Sequence, residues 1–206
     1  ERQKMIRLCA YESKYAFLLL AMVVIPLIAE METILHVWLG EVPVHAVMFC
    51  RFILIAALCD QISIGWTSAN QAIGKIRTYS IIFYTLKLLV VLIAWWCLQE
   101  GLPIISVMWG YVAIEFIGSF VRLPLMKHIA NIPITPFFKN VFLRIIGPLA
   151  TMVVVCYSSA ILIDIPYRLI ITFSCSLVVG VLSIWGFALN IEEKQYVKNI
   201  IKKLKK

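Results

Sequence analysis

Residues 79–98 read YSIIFYTLKLLVVLIAWWCL, and Lys87 is the one charged side chain among them. A helix crosses the ~30 Å hydrocarbon core of a bilayer with ~20 mostly apolar residues, since each residue adds ~1.5 Å. The strands of a membrane β-barrel alternate between apolar and polar residues over ~10 positions, and this run does not alternate. The stretch therefore predicts a transmembrane helix.

Five further stretches have the same length and composition. The predicted spans are Tyr15–Leu35, Ala46–Ser68, Tyr79–Leu98, Pro103–Leu123, Val141–Ile163 and Tyr167–Leu189. The whole chain is 62% hydrophobic and 15% charged, whereas a soluble domain is about 45–50% apolar and about 25% charged. The predicted fold class is all-α, a polytopic membrane bundle of about six helices over residues 15–190. A cytoplasmic basic segment, residues 1–14, precedes the predicted bundle, and a cytoplasmic tail, residues 191–206, follows it.

Most of the 19 lysines and arginines fall on one side of these spans. They lie in residues 1–14, in the loop between spans two and three, around the loop between spans four and five, where Arg122 is counted, and in the tail. Because Lys and Arg concentrate in cytoplasmic loops, both chain ends are predicted to be cytoplasmic. Nucleic-acid binding is not expected, since it requires a solvated basic face.

The tail combines apolar residues at helical spacing with lysines on the other face. The apolar positions, separated by three, one and three residues, are Val197, Ile200, Ile201 and Leu204. This pattern predicts an amphipathic basic helix lying on anionic headgroups of the membrane lipids. A solvated basic tail without a helix is the alternative.

Several ionisable residues lie within the predicted membrane spans. Asp60, Lys87 and Glu115 fall near the middle of spans two, three and four, while Glu30 and Arg51 lie toward the outer ends of spans one and two. Such residues are costly in a bilayer and usually face a protein interior or an aqueous cavity. We take all five as candidates for a substrate cavity. The alternative is a set of structural ion pairs that fixes the packing of the helices.

Nothing in the sequence indicates a catalytic or metal site. The six cysteines form no CxxC pair and show no zinc-like spacing. No Ser/His/Asp set or paired-carboxylate motif recurs at a usable spacing. We therefore expect no metal, no cofactor and no enzymatic activity.

Four segments of the chain resemble one family of membrane proteins. They are Ser13 to Phe17, Pro26-Leu27, Ile34 to Pro43 (ILHVWLGEVP) and Gln71 to Tyr79 (QAIGKIRTY), and the basic tail after Asn190 fits as well. Together they are similar to bacterial polysaccharide flippases, the O-antigen and capsule branch of the multidrug/oligosaccharidyl-lipid/polysaccharide exporter superfamily. The resemblance covers nearly the whole chain, and the Trp-Leu-Gly-x-x-Pro turn is its most specific motif.

The resemblance implies translocation of an undecaprenyl-pyrophosphate-linked oligosaccharide across the bacterial inner membrane, by alternating access, for O-antigen, capsule or exopolysaccharide synthesis. Family members consist of two bundles of about six helices. We therefore expect this chain to be the C-terminal half, with the N-terminal helix bundle of the same protein as its partner. From position and chemistry, Arg51 and Lys87 are expected to contact an anionic group, and Asp60 and Glu115 to balance charge or couple an ion.

Three other functions are compatible with the same sequence. The first is a cation-coupled drug or metabolite exporter of the same superfamily. The second is an integral membrane sugar transferase acting on lipid-linked substrates, which usually needs an acidic metal-binding cluster or a His/Asp site at the membrane face. The third is a non-catalytic scaffold subunit, for which buried charges are a poor choice.

Overall fold

The structure is a computed structural model that describes residues 2–74, 76–130, 137–162, 167–190, 193–195 and 199. Eight α-helices are assigned within these ranges: α1 (Arg2–Ala29), α2 (Met31–Leu39), α3 (Ala46–Gln61), α4 (Ile64–Ile73), α5 (Ile76–Gln99), α6 (Ile104–Ala130), α7 (Leu143–Leu162) and α8 (Arg168–Ser183). A π-helical turn, Phe138–Phe142, leads into α7, and another, Ile184–Ala188, follows α8. The described residues contain no strand, which confirms the all-α prediction.

Five helical segments among the described residues are long and apolar enough to cross a membrane. They are Gln3–Ala29, Ile76–Gln99, Ile104–Leu125, Phe138–Ile161 and Arg168–Ala188. The pair Ala46–Gln61 and Ile64–Ile73 passes the same test together, although the two helices are bent by 46°. The chain therefore has the helices of a membrane protein with five spans, or six if the bent pair is one span.

Helix α1 lies at the centre of the fold. It packs against α3, α4, α7 and α8, while α5 is held mainly through α6. Two clusters of buried side chains form along α1. One surrounds Trp66 and Phe137, and the other surrounds Leu18 and Met152.

The helix boundaries differ from the predicted spans most clearly at the start of the chain and in the second span. The basic segment before Tyr15 is part of α1, which begins at Arg2 and ends at Ala29; a separate helix, α2, begins at Met31. The predicted second span is divided between α3 and α4 by a break near Ile62. Hydrophobicity alone does not reveal the break, because α3 and α4 together are still apolar enough to pass as one membrane span.

Apolar side chains cover much of the outer surface of the bundle. On α5, Leu88, Val91 and Leu92 are each exposed by 60% or more. A soluble protein rarely exposes a continuous apolar face of this kind, whereas in a bilayer such a face contacts lipid tails. The exposure of α5 therefore agrees with its composition as a membrane helix.

Small residues lie where helices approach most closely. A Cβ added at Gly65 would lie 2.0 Å from the backbone oxygen of Cys9, and one at Gly180 would lie 2.8 Å from Cγ of Met22. Such contacts are typical of membrane helices, whose association depends on close packing because lipid tails are as apolar as the side chains. The contact at Gly65 is with the backbone of α1, so it fixes how closely α4 can approach.

The predicted amphipathic helix of the tail falls mostly outside the described residues. Within residues 191–206 only 193–195 and 199 are described. The predicted polar loop between spans four and five begins later than expected, since α6 continues beyond Leu123 to Ala130.

Replacing Gly65 by Ala is expected to destabilise the bundle by on the order of 1–3 kcal/mol, because the added methyl group meets the backbone oxygen of Cys9 and α4 must move away from α1. Unfolding of the purified chain in mixed micelles, followed by tryptophan fluorescence during an SDS titration, measures the change. Gly186→Ala is the matched control, since no atom lies within 4 Å of the added Cβ. Equal stability of the two variants would contradict the close contact.

Candidate functional site

The break between α3 and α4 is held by side chains from two other helices. Arg122, on α6, donates from Nη1 to the backbone oxygen of Asp60 (3.2 Å) and to Oγ of Ser63 (3.0 Å). Ser119, one turn earlier on α6, donates to the backbone oxygen of Cys59. On the α4 side, the backbone N–H of Gly65 donates to Oγ of Ser13 on α1 (3.0 Å). Backbone groups at the break therefore have partners from both neighbouring helices.

Arg122 also forms an ion pair with the side chain of Asp60. Its Nη2 lies 2.7 Å from Oδ1 of Asp60, and the Arg122 side chain is only 4% exposed while that of Asp60 is 33% exposed. One guanidinium thus contacts the carboxylate, a backbone oxygen and a hydroxyl at the same break. This fits Arg better than Lys, because several N–H groups project from a rigid plane.

A second ion pair connects α5 with α6. Nζ of Lys87 lies 2.9 Å from Oε1 of Glu115, with side chains 35% and 5% exposed respectively. Lys87 lies about 17 Å from the start of the 24-residue α5 at ~1.5 Å per residue, close to its midpoint. The pair therefore occupies the middle of two helices that are long enough to span a membrane.

Phe83 lies close to both cations. The guanidinium carbon of Arg122 is 4.1 Å from the centre of the Phe83 ring, and Nζ of Lys87 is 4.9 Å from it. Tyr79 is stacked on Phe83 with ring centres 6.0 Å apart, and Tyr84 meets Phe83 edge-on at 5.8 Å. An aromatic ring attracts cations over its face, so Phe83 links the two ion pairs into one cluster.

A cavity of about 230 Å³ lies against this cluster, between the break and α5. Its lining is rich in polar side chains: Asp60, Thr67, Asn70, Gln71, Tyr79, Ser80, Tyr84, Lys87 and Arg122. Thr67 and Tyr79 are hydrogen-bonded to each other through their hydroxyl groups at 2.9 Å. We refer to this space as the α4–α5 cavity.

Some buried polar atoms around the α4–α5 cavity have no hydrogen-bond partner among the described residues. They are Oδ1 of Asn70, Nε of Arg122 and Oε2 of Glu115. Asn70 is only 1% exposed and lines the cavity. Buried polar groups are nearly always paired, because leaving one unpaired costs about 1–3 kcal/mol. Two of these three atoms belong to residues that line the cavity, Asn70 and Arg122.

Glu30 belongs to a different network, at the other end of α1. Its carboxylate accepts hydrogen bonds from Arg168 (3.0 and 3.2 Å), Thr33 (3.0 Å) and Thr172 (3.1 Å). The side chain of Glu30 is completely buried and that of Arg168 is 32% exposed. These contacts join the end of α1 to the start of α8, and none of these residues lines the α4–α5 cavity.

The five predicted candidates therefore fall in three places. Asp60, Lys87 and Glu115 lie in the cluster beside the α4–α5 cavity, although Lys87 pairs with Glu115 and not with Asp60. Glu30 lies in the Arg168 network. Arg51 donates from Nε to the backbone oxygen of Ile28 (3.0 Å) and joins the start of α3 to the end of α1.

Two residues that the sequence analysis counted among cytoplasmic basic groups are buried in the bundle. Arg122 is one, and its pairing with Asp60 was missed because a single cation near a span end looks like a loop residue. Lys14 is the other: it is 1% exposed, and its Nζ lies 2.6 Å from Oε1 of Glu193. A signal for Arg122 was present, since an unpaired acid such as Asp60 in an apolar run requires a cation at similar depth.

No protein-family model, curated protein or solved structure matches the chain. Among the described residues, no group of three or more His, Cys, Asp or Glu side chains is placed to hold a metal ion. The chemistry of the α4–α5 cavity therefore follows from its own lining side chains.

Replacing Lys87 by Met is expected to cost on the order of 3 kcal/mol of stability, because Glu115 then remains as a buried carboxylate without its cation. The double variant Lys87→Met with Glu115→Gln is expected to be more stable than the single variant, since it also removes the charge. SDS titrations of the purified variants measure both changes.

Lys139→Met is the matched control for this series, because Lys139 is exposed in the turn before α7. It should leave stability unchanged within about 0.5 kcal/mol. If the double variant lost as much stability as the sum of its two single variants, the two charges would not be coupled.

Proposed function

We propose that this chain is one helix bundle of a flippase that moves lipid-linked oligosaccharides across the bacterial inner membrane by alternating access. The observation that carries the proposal is the α4–α5 cavity, a polar space beside two ion pairs in helices long enough to span a membrane. The segments that resemble polysaccharide flippases supply the substrate class.

A purely structural role explains the ion pairs but not the cavity next to them. The ion pairs Lys87–Glu115 and Arg122–Asp60 are sufficient to connect the helices. A structural role does not require an open space lined by hydroxyl and amide groups. Intramembrane ionisable residues beside a polar cavity are typical of a substrate or ion pathway.

The break between α3 and α4 supports a transporter. Discontinuous helices commonly line the binding sites of secondary transporters, where irregular backbone is tolerated because it faces a cavity. Here Asp60, in the last turn of α3 before the break, is both a partner of Arg122 and a lining residue of the cavity. A change of position of α6 relative to α3 would therefore alter the cavity directly.

The arrangement of the two ends of the bundle supports cytoplasmic chain ends. The contact between Lys14 and Glu193 joins α1 to the residues that follow α8. At the opposite end, Trp38, Trp95 and Trp109 are each exposed by 60% or more. Exposed tryptophans are typical of the membrane–water interface, and the large excess of basic residues favours the end near Lys14 as the cytoplasmic one.

The turn that carries the most specific part of the resemblance lies at the tryptophan-rich end. It follows α2. The backbone of Gly40 has a φ of 72°, a conformation that residues other than glycine rarely adopt. Trp38 on the same segment is 78% exposed. The motif is thus an exposed turn, in a position to contact headgroups or a second helix bundle.

Expression of the complete reading frame that encodes this chain in a flippase-deficient bacterium is expected to restore surface polysaccharide, provided that the strain supplies a matching lipid-linked substrate. Lys87→Ala in that protein is expected to reduce surface polysaccharide at least tenfold without loss of membrane insertion, because one of the two cations that line the cavity is lost. Immunoblots of membranes and of extracted polysaccharide measure the two quantities.

Lys139→Ala is the control, since it removes an exposed cation outside the cavity. Wild-type polysaccharide from Lys87→Ala would remove Lys87 from the cavity function, and loss of the protein itself would assign the residue to structure. Failure of the wild type to restore polysaccharide, with insertion confirmed, would favour a drug exporter or a sugar transferase.

A further inference from the structure

We propose that the α4–α5 cavity binds an uncharged sugar residue of the lipid-linked oligosaccharide and not its pyrophosphate. The inference rests on the proposed function and makes it more specific. It departs from the simple expectation that intramembrane cations such as Lys87 exist to hold the anionic part of the substrate.

The charges around the cavity balance. The cations Lys87 and Arg122 are each paired with a carboxylate, at 2.9 Å from Glu115 and 2.7 Å from Asp60. Among the described residues, the charged side chains that line the cavity are Asp60, Lys87 and Arg122, and Glu115 lies behind Lys87 as its partner. A pyrophosphate would have to compete with Glu115 for Lys87 or with Asp60 for Arg122, and it would bind close to carboxylates that repel it. The site is therefore better suited to a neutral ligand.

The polar groups of the cavity suit a ligand that both donates and accepts hydrogen bonds. Asn70 and Gln71 line the cavity with amide groups, and Ser80 lines it with a hydroxyl. A sugar hydroxyl, like that of Ser, is donor and acceptor at once, so one ring with several hydroxyls can pair with all of these groups.

Aromatic rings border the same space. Phe83 and Tyr84 line the cavity, and Tyr84 is 63% exposed. The face of an aromatic ring carries partial negative charge, which attracts the weakly positive C–H groups on the flat side of a sugar ring. An aromatic surface beside mixed donors and acceptors distinguishes a sugar from a small inorganic anion.

The size of the cavity suits a small group. Its volume is about 230 Å³, below the roughly 300–1,000 Å³ of pockets that enclose drug-sized molecules. A single sugar ring is the unit of the substrate that matches this scale. Sites built to hydrogen-bond hydroxyl groups discriminate strongly against ligands that lack them, so this cavity would select among oligosaccharides by one of their rings.

The test uses the full chain in lipid nanodiscs and saturation-transfer NMR. The probes are the methyl glycosides of glucose, galactose and N-acetylglucosamine, the methyl glycoside of glucuronic acid, and inorganic pyrophosphate. At least one neutral glycoside is expected to receive saturation from aromatic protons of the protein. Its binding should survive a tenfold excess of pyrophosphate.

Two variants locate the binding. Asn70→Leu removes the buried acceptor, and Tyr84→Leu removes an exposed ring whose loss should not disturb folding; each is expected to weaken binding of the neutral glycoside at least tenfold. Asn140→Leu changes an exposed amide away from the cavity and should bind as the wild type does. Undiminished binding to the Tyr84→Leu and Asn70→Leu proteins would overturn the assignment of the cavity.

Other outcomes separate this inference from the proposed function. Binding of pyrophosphate or of the glucuronide in place of every neutral glycoside would overturn the neutral-sugar site, even if the gene restores surface polysaccharide. Absence of binding by every glycoside would do the same. Binding of a neutral glycoside at the cavity by a protein that fails complementation would support the sugar site and contradict the flippase.

Discussion

The fold depends on how the backbone is satisfied where α3 ends and α4 begins. In the hydrocarbon region no water is present to pair with free N–H and C=O groups, so a broken helix must find partners within the protein. Arg122 and Ser119 of α6 bind the backbone oxygens of Asp60 and Cys59, and Ser13 of α1 accepts from the N–H of Gly65. The break exists because two neighbouring helices together replace the missing hydrogen bonds.

The cavity follows from the same constraint. The bend of 46° turns α4 away from the line of α3 and toward α1, where Gly65 allows backbone contact. Space is left between α4 and α5, and the groups that hold the bend, Asp60 and Arg122, line that space. One arrangement thus supplies both the structural joint and the polar surface, so the two cannot be altered independently.

The sequence was sufficient to predict the helical class, the apolar segments and the presence of charged residues within those segments. It did not reveal the break or the partner of Asp60, because both depend on contacts between helices about 60 residues apart. Arg122 was misassigned because its position near a predicted span end matches a cytoplasmic anchor, and α6 continues well past that point. Positional rules for Lys and Arg describe average placement, whereas burial of one cation depends on a specific acid across the interface.

Paired charges suit a transport cavity better than a single uncompensated cation. A lone cation in a low-dielectric site would hold a pyrophosphate strongly, and a carrier must release its substrate on the far side. Carboxylates next to Lys87 and Arg122 compete with any anion for the same cations, so binding remains weak enough to reverse. Specificity then depends on hydrogen bonds from neutral groups such as Asn70, which discriminate by geometry without the large energies of full charges. The paired charges of this cavity are therefore consistent with the proposed selection of a ligand by its sugar structure.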